Sequence, residues 1–171
     1  MDKKALIVVD LQKDFLCDNR KPMFSYNTKE LIASVNDSID RYHKNGYDVI
    51  YIRQVYQNIV TNRKLIGFTI KGTPGADLYD GLSVVSDHVF EKYFPNTYTS
   101  KPFREFMQKE GYSEVVICGL DECGCVGATA KGAVKAGMKV CMKTNSIGSR
   151  FPDNKIQKMR KKLVGMGVEY I

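Results

Sequence analysis

The stretch VVICGLDECGCVGATAKGAVKAG, Val115 to Gly137, decides the fold. Its first half is a short run of β-branched and apolar residues with no polar alternation, the pattern of a strand buried on both faces. With Ser113 and Glu114 it predicts a strand over Ser113 to Gly119, then a turn, DECG, and a helix from about Cys125 to Ala136. A strand that runs straight into a helix and out to a further strand, Lys139 to Lys143, is one half of a parallel crossover unit.

Working outward, the same beat repeats. KALIVVD, Lys4 to Asp10, is a second continuous apolar run and ends in a carboxylate. Leu31, Val35, Ile39 and Tyr42 step by four, four and three, and predict a helix from Thr28 to about Asn45 that Gly46 stops. Further strands are read at Tyr47 to Arg53, Asp87 to Tyr93 and Val168 to Ile171, and further helices at Ser100 to Gly111 and about Asp153 to Met166. The alternation predicts a single doubly wound α/β domain over residues 1–171, with a six-stranded, mainly parallel sheet and helices on both faces. Gln54 to Ser86 is too long for an ordinary connection in a compact domain and reads as a lid or specificity segment.

Composition narrows the function. At 171 residues and 43% hydrophobic, the chain can bury one core. No apolar run approaches the roughly 20 residues that span a bilayer, so no membrane role is expected. Five cysteines, with no secretory leader recognised at MDKKALIVVD, predict free thiols in a reducing, cytoplasmic setting. The net charge of +7 is densest in KIQKMRKK, Lys155 to Lys162, but Ile156, Met159, Leu163 and Met166 make this an amphipathic helix whose lysines form its wet face. No RNP, finger or basic-zipper pattern accompanies it, so no nucleic-acid partner is expected.

In an open parallel sheet, ligands bind beyond the carboxyl ends of the strands. Asp10, Lys92 and Cys125 all stand at such ends or just past them. Cys125, in or near the first turn of a helix whose dipole favours a thiolate, is the candidate nucleophile. Asp10 is the candidate base, and Lys92 holds both anions. The Cys125 amide and another from the GLDECG turn would make an oxyanion hole, an arrangement in which the Leu120–Asp121 link could be a strained or cis peptide.

Three motifs now carry a resemblance: ALIVVDLQKDF with its D-x-Q-x-D-F ending, FEKYFPNTYTSKPFREFM with its lysine, and the quoted stretch, similar to G-x-x-T-D-x-C-V-x-x-T-A-x-x-A at Gly119, Cys125, Val126, Thr129, Ala130 and Ala133. Together they resemble the isochorismatase-like cysteine hydrolases, a Rossmann-like group that includes nicotinamidases, N-carbamoylsarcosine amidohydrolase, ureidoacrylate hydrolases and isochorismatases. The resemblance implies an Asp10, Lys92, Cys125 triad, an oxyanion hole from the amides of Asp121 and Cys125, and a cis peptide between Leu120 and Asp121. It also implies a small-molecule substrate, no cofactor and a homo-oligomer. Glu122 and Cys123 depart from the pattern, standing where Thr and Asp are usual.

Phe15, Phe94 and Tyr98 are placed by these motifs to line a small planar pocket. The metal-dependent members carry an Asp-x-His pair and a further His after the second strand; here that segment has no histidine, so no metal is expected. His43, beside the core face of its helix, and His88, at the opposite sheet end, read as structural or surface residues. Cys118 and Cys141 read as core, Cys123 as rim or packing, and Cys17 as near the pocket. The expected activity is hydrolysis of an amide or carbamoyl C–N bond through a thioester. Vinyl ether hydrolysis and a catalytically idle partner-binding domain are the alternatives.

Overall fold

A computed structural model describes residues 3–171. Strand β1 is Lys3–Val9, followed by a single turn, α1, Lys13–Leu16, and by helix α2, Thr28–Lys44. The Asn27 side chain caps α2 by accepting from the Glu30 amide, and Gly46, at φ 79°, turns the chain into β2, Asp48–Gln54. Next come α3, Val60–Leu65; β3, Val89–Lys92; α4, Lys101–Glu110; and β4, Tyr112–Leu120. The chain finishes with α5, Gly127–Lys135; β5, Lys139–Gly148; α6, Asp153–Val164; and β6, Glu169–Tyr170.

All five strand pairings are parallel, in the order β3-β2-β1-β4-β5-β6. Sequence order therefore reverses between β1 and β4, and the crevice that opens there lies beyond Val9 and Leu120. Alternation along β1 builds both layers. Ala5, Ile7 and Val9 pack with Phe103 and Met107 of α4, Ala130 and Ala133 of α5, and Leu163 of α6. Leu6 and Val8 face the other way, onto Leu31, Val35 and Ile39 of α2 and onto Phe24 and Leu82 from loops. Fully burying one such side chain stabilises the fold by about 1.5–3 kcal/mol.

The architecture is the one read from the alternation, with three differences. Strands β4 and β5 run longer than their apolar cores, β5 continuing through Ser146, whose hydroxyl is buried against Ser34 and Ser38 of α2. The helix expected from Cys125 starts at Gly127; Glu122 to Val126 form a separate π-type turn with Gly124 outside helical geometry. Gln54 to Ser86, read as one lid or specificity segment with no elements assigned to it, is partly structured. It carries α3 and a short 3-10 turn, Pro74–Ala76, and it bridges back through Tyr56 to Ile70 and through Gln12 to Leu78.

Candidate active site

Asp10 follows β1 directly, with φ 56°, a left-handed backbone that costs a non-glycine residue about 1 kcal/mol or more. Its amide donates to the Ile52 carbonyl at 2.9 Å, which pins the residue at the mouth of the crevice. Gln12, fully buried, ties the same corner: its Nε2 donates to the carbonyls of Gln54 and Ala76 at 2.9 and 2.8 Å, and its Oε1 accepts from the Gln54 amide at 2.8 Å. Asp14 accepts from the Thr69 amide at 2.6 Å, so the D-x-Q-x-D-F stretch fastens the long segment over the site.

Lys92 ends edge strand β3, yet its side chain has no exposure because it reaches inward across the end of β2. Its Nζ donates to Asp10 Oδ2 at 2.8 Å, to Gln54 Oε1 at 2.7 Å and to Cys125 Sγ at 3.2 Å. Three acceptors around one buried ammonium saturate its three protons. Burial works against that charge, but Asp10 and then Cys125 outweigh it and hold the lysine above its ordinary pKa. Asp10 Oδ1, by contrast, is buried with no hydrogen-bond partner among the described residues. It is the oxygen free to take a proton.

Cys125 rides on the turn between β4 and α5. The Leu120–Asp121 peptide is cis, and the Asp121 carbonyl accepts from the amides of Gly124 and Val126 at 2.9 and 3.1 Å. The Asp121 carboxylate binds four donors: the Cys123 amide and Ser149 hydroxyl on Oδ1, and the Tyr26 hydroxyl and Arg150 amide on Oδ2. Cys125 precedes α5 instead of opening it, and burial, followed by the Asp10 charge, pushes its thiol well above the usual range despite Lys92.

Around these atoms lies a pocket of about 220 Å³ whose wall is largely aromatic: Phe15, Phe24, Tyr26, Tyr56, Phe68 and Phe151. Of the three aromatic residues expected there, Phe15 lines it. Phe94 does not, being 64% exposed, and neither does Tyr98. A short 3-10 turn, Thr97–Thr99, carries Tyr98 onto the α4 layer, where its ring meets Phe103 edge-on at 5.1 Å. Cys17 lies outside the pocket lining, and His43 is exposed, a surface residue. His88 stacks on Phe106 at 4.8 Å, away from the site. Among the described residues no group of three or more His, Cys, Asp or Glu side chains is arranged to hold a metal ion.

Two residues that motif reading passed over complete the site. Gln54, the last residue of β2, supplies the third acceptor to Lys92; its place beside Lys92 in the register was the available signal. Arg150 is the one cationic side chain in the pocket lining. Its guanidinium carbon lies 5.3 Å from the Phe24 ring and 5.2 Å from that of Phe151, and its Nε is buried without a partner among the described residues.

The model of the isochorismatase domain matches residues 4–170. The chain belongs to the isochorismatase family. An uncharacterized family protein of Bacillus subtilis is 23% identical over 134 residues, covering 78% of this chain and 71% of that protein. A probable inactive nicotinamidase of Arabidopsis thaliana is 27% identical over 142 residues, covering 76% and 72%. Among solved structures of this fold, the pyrazinamidase/nicotinamidase of Streptococcus mutans superposes with a TM-score of 0.82 at 20% identity, covering 99% of this chain and 100% of that one. N-carbamoylsarcosine amidase of Thermoplasma acidophilum does so at 0.80 and 22%, covering 98% and 95%. At these identities the structural likeness establishes the shared isochorismatase-family fold.

Proposed function

We propose that this isochorismatase-family chain hydrolyses a C–N bond of a small amide or carbamoyl compound through a thioester on Cys125. The observation that carries the reading is the single buried ammonium of Lys92, bonded at once to Asp10 and Cys125. Such a cluster suits a thiol that must lose its proton only as it attacks. In the first half, Sγ forms a bond to the carbonyl carbon while Asp10 takes the thiol proton. The amides of Asp121 and Cys125 and the Lys92 charge stabilise the oxyanion. Asp10 then returns the proton to the leaving nitrogen as the C–N bond breaks. In the second half, Asp10 draws a proton from water, water attacks the thioester, and the acid leaves as the proton returns to sulfur.

The pocket also favours a kind of substrate. An aromatic wall accepts a small, flat or short compound, and a lone guanidinium with an unused buried Nε favours an anionic group on the substrate besides its amide. The fold neighbour named for N-carbamoylsarcosine, a compound with a carboxylate, is consistent with that polarity. The test is ammonia release across a panel of amides, ureas and N-carbamoyl acids, each compared with Cys125→Ala. Turnover that Cys125→Ala abolishes supports the reading. Turnover that survives the substitution, or none on any panel member, overturns it in favour of vinyl ether hydrolysis or an idle binding domain.

A further inference from the structure

Behind the nucleophile turn, on the far side of Phe151, lies a second hollow of about 340 Å³, lined by Cys123, Lys131, Phe151, Lys155, Lys158, Met159 and Lys162. Phe151 is a wall of both cavities. The lysines come from two helices, Lys131 from α5 and the other three from α6. The lysines of α6 are exposed, as a wet helix face requires, and with Lys131 of α5 they border an open concave surface.

The charge in this hollow is unbalanced. Lys131, Lys155, Lys158 and Lys162 have no ion pair among the described residues; other exposed lysines share that, and what sets these four apart is that they line one hollow. The buried carboxylate of Glu122, next to Cys123 in the chain, is taken by Nε and Nη2 of Arg160. Lys131 is half-buried, and burial first and the Lys162 charge second lower its pKa. Ammonium groups gathered in one space without a counter-charge raise each other's energy, a cost an anion relieves.

Four compact point charges suit a multiply charged group, whereas a lone carboxylate is better served by an arginine fork. Phe151 and Met159 add an apolar surface beside them, with Lys155 Nζ 5.3 Å from the Phe151 ring. We propose that this hollow is a binding site for a phosphorylated small molecule, with the phosphates on Lys131, Lys155, Lys158 and Lys162 and the organic part against Phe151 and Met159. The site is separate from the Cys125 pocket and does not depend on how that pocket is used.

Calorimetric titration with adenosine diphosphate and with inorganic pyrophosphate at constant ionic strength tests it on the full chain. Both probes bind, the diphosphate ester the more tightly. Lys158→Glu with Lys162→Glu weakens both at least tenfold, while Lys29→Glu with Lys109→Glu, an equal charge change at exposed positions elsewhere, leaves affinity unchanged. Bound diphosphate also slows alkylation of Cys123. Absence of binding, equal weakening by both variant pairs, or binding that leaves Cys123 alkylation unaltered overturns the proposal.

Discussion

Arg160 of α6 closes a two-pronged ion pair on Glu122, Nε to Oε1 at 2.6 Å and Nη2 to Oε2 at 2.9 Å, and Glu122 begins the turn that carries Cys125. Glu122 is only 2% exposed, and a β-carbon on Gly127 would meet the Glu122 carbonyl at 2.5 Å and Met159 Sδ at 3.2 Å. Helix α6 is therefore clamped to the nucleophile turn at two adjacent points.

Arg160→Met leaves a buried carboxylate without its partner and is expected to cost about 2–3 kcal/mol in a denaturant melt. Glu122→Gln with Arg160→Met removes the stranded charge and recovers part of that loss. A full recovery of stability with an impaired Cys125 alkylation rate would mark the pair as positioning the thiol; equal alkylation in all three proteins would mark it as structural only.

Gly119 makes a different kind of commitment. Its φ is 110°, and a β-carbon there would lie 2.2 Å from the Val9 carbonyl oxygen, backbone that has no room to move between β1 and β4. Gly119→Ala is expected to destabilise the fold by about 3 kcal/mol or more, read as a large fall in the denaturant midpoint with the slope unchanged.

The six strands, the four long helices and two of the three side chains around Lys92 Nζ, Asp10 and Cys125, were legible because each follows from local pattern: apolar runs, four-residue spacing, and polar or thiol residues where a buried strand stops. The pocket wall was not. Phe24 and Tyr26 come from the loop after α1, Phe68 from the long segment, and Arg150 and Phe151 from the loop after β5. What gathers them is tertiary, in particular the Asp121 carboxylate taking the Tyr26 hydroxyl at 3.0 Å and the Arg150 amide at 2.8 Å. Tyr98 was misplaced for a related reason. Five residues separate it from Lys92 in sequence, but the turn it sits in carries it onto the α4 layer. The upward shift of the Cys125 thiol likewise depends on burial and on Asp10, neither visible in a turn motif.

That shift gives a pH signature. The folded pKa of Cys125 is raised above the ordinary thiol value, by burial first and the Asp10 carboxylate second. The sign follows: the neutral thiol is the favoured native form, so its contribution to stability is fully present below about pH 9 and is lost as pH rises toward the folded value. Ultraviolet thiolate absorbance, wild type minus Cys125→Ser, should stay flat up to about pH 9. Asp10→Asn removes one of the two raising influences and leaves Lys92, so thiolate should appear at lower pH in that variant. If Asp10 is the base of the proposed reaction, the same variant loses about 10²–10⁴-fold in turnover despite its more acidic thiol. A variant that gained activity along with acidity would show that thiol ionisation alone limits the reaction.

Arg150 separates substrate polarity from catalysis. Its backbone amide is held by Asp121 Oδ2, and its side chain lies between Phe24 and Phe151 with Nε unused. Arg150→Met keeps the backbone bond and the apolar contacts with both rings while removing the charge and the fork. If the guanidinium holds an anionic group, kcat/KM for N-carbamoyl acids should fall about 10²-fold or more, the scale of a lost charge-assisted hydrogen bond of about 3 kcal/mol. Neutral amides of the same size should change by less than about threefold, because Lys92, Asp10 and Cys125 are untouched. The loss should appear chiefly in KM, since an anion apart from the reacting carbonyl is bound equally in the ground and transition states. An equal fall on charged and neutral compounds would assign Arg150 to the shape of the pocket, and a fall confined to kcat would place its charge on the oxyanion instead.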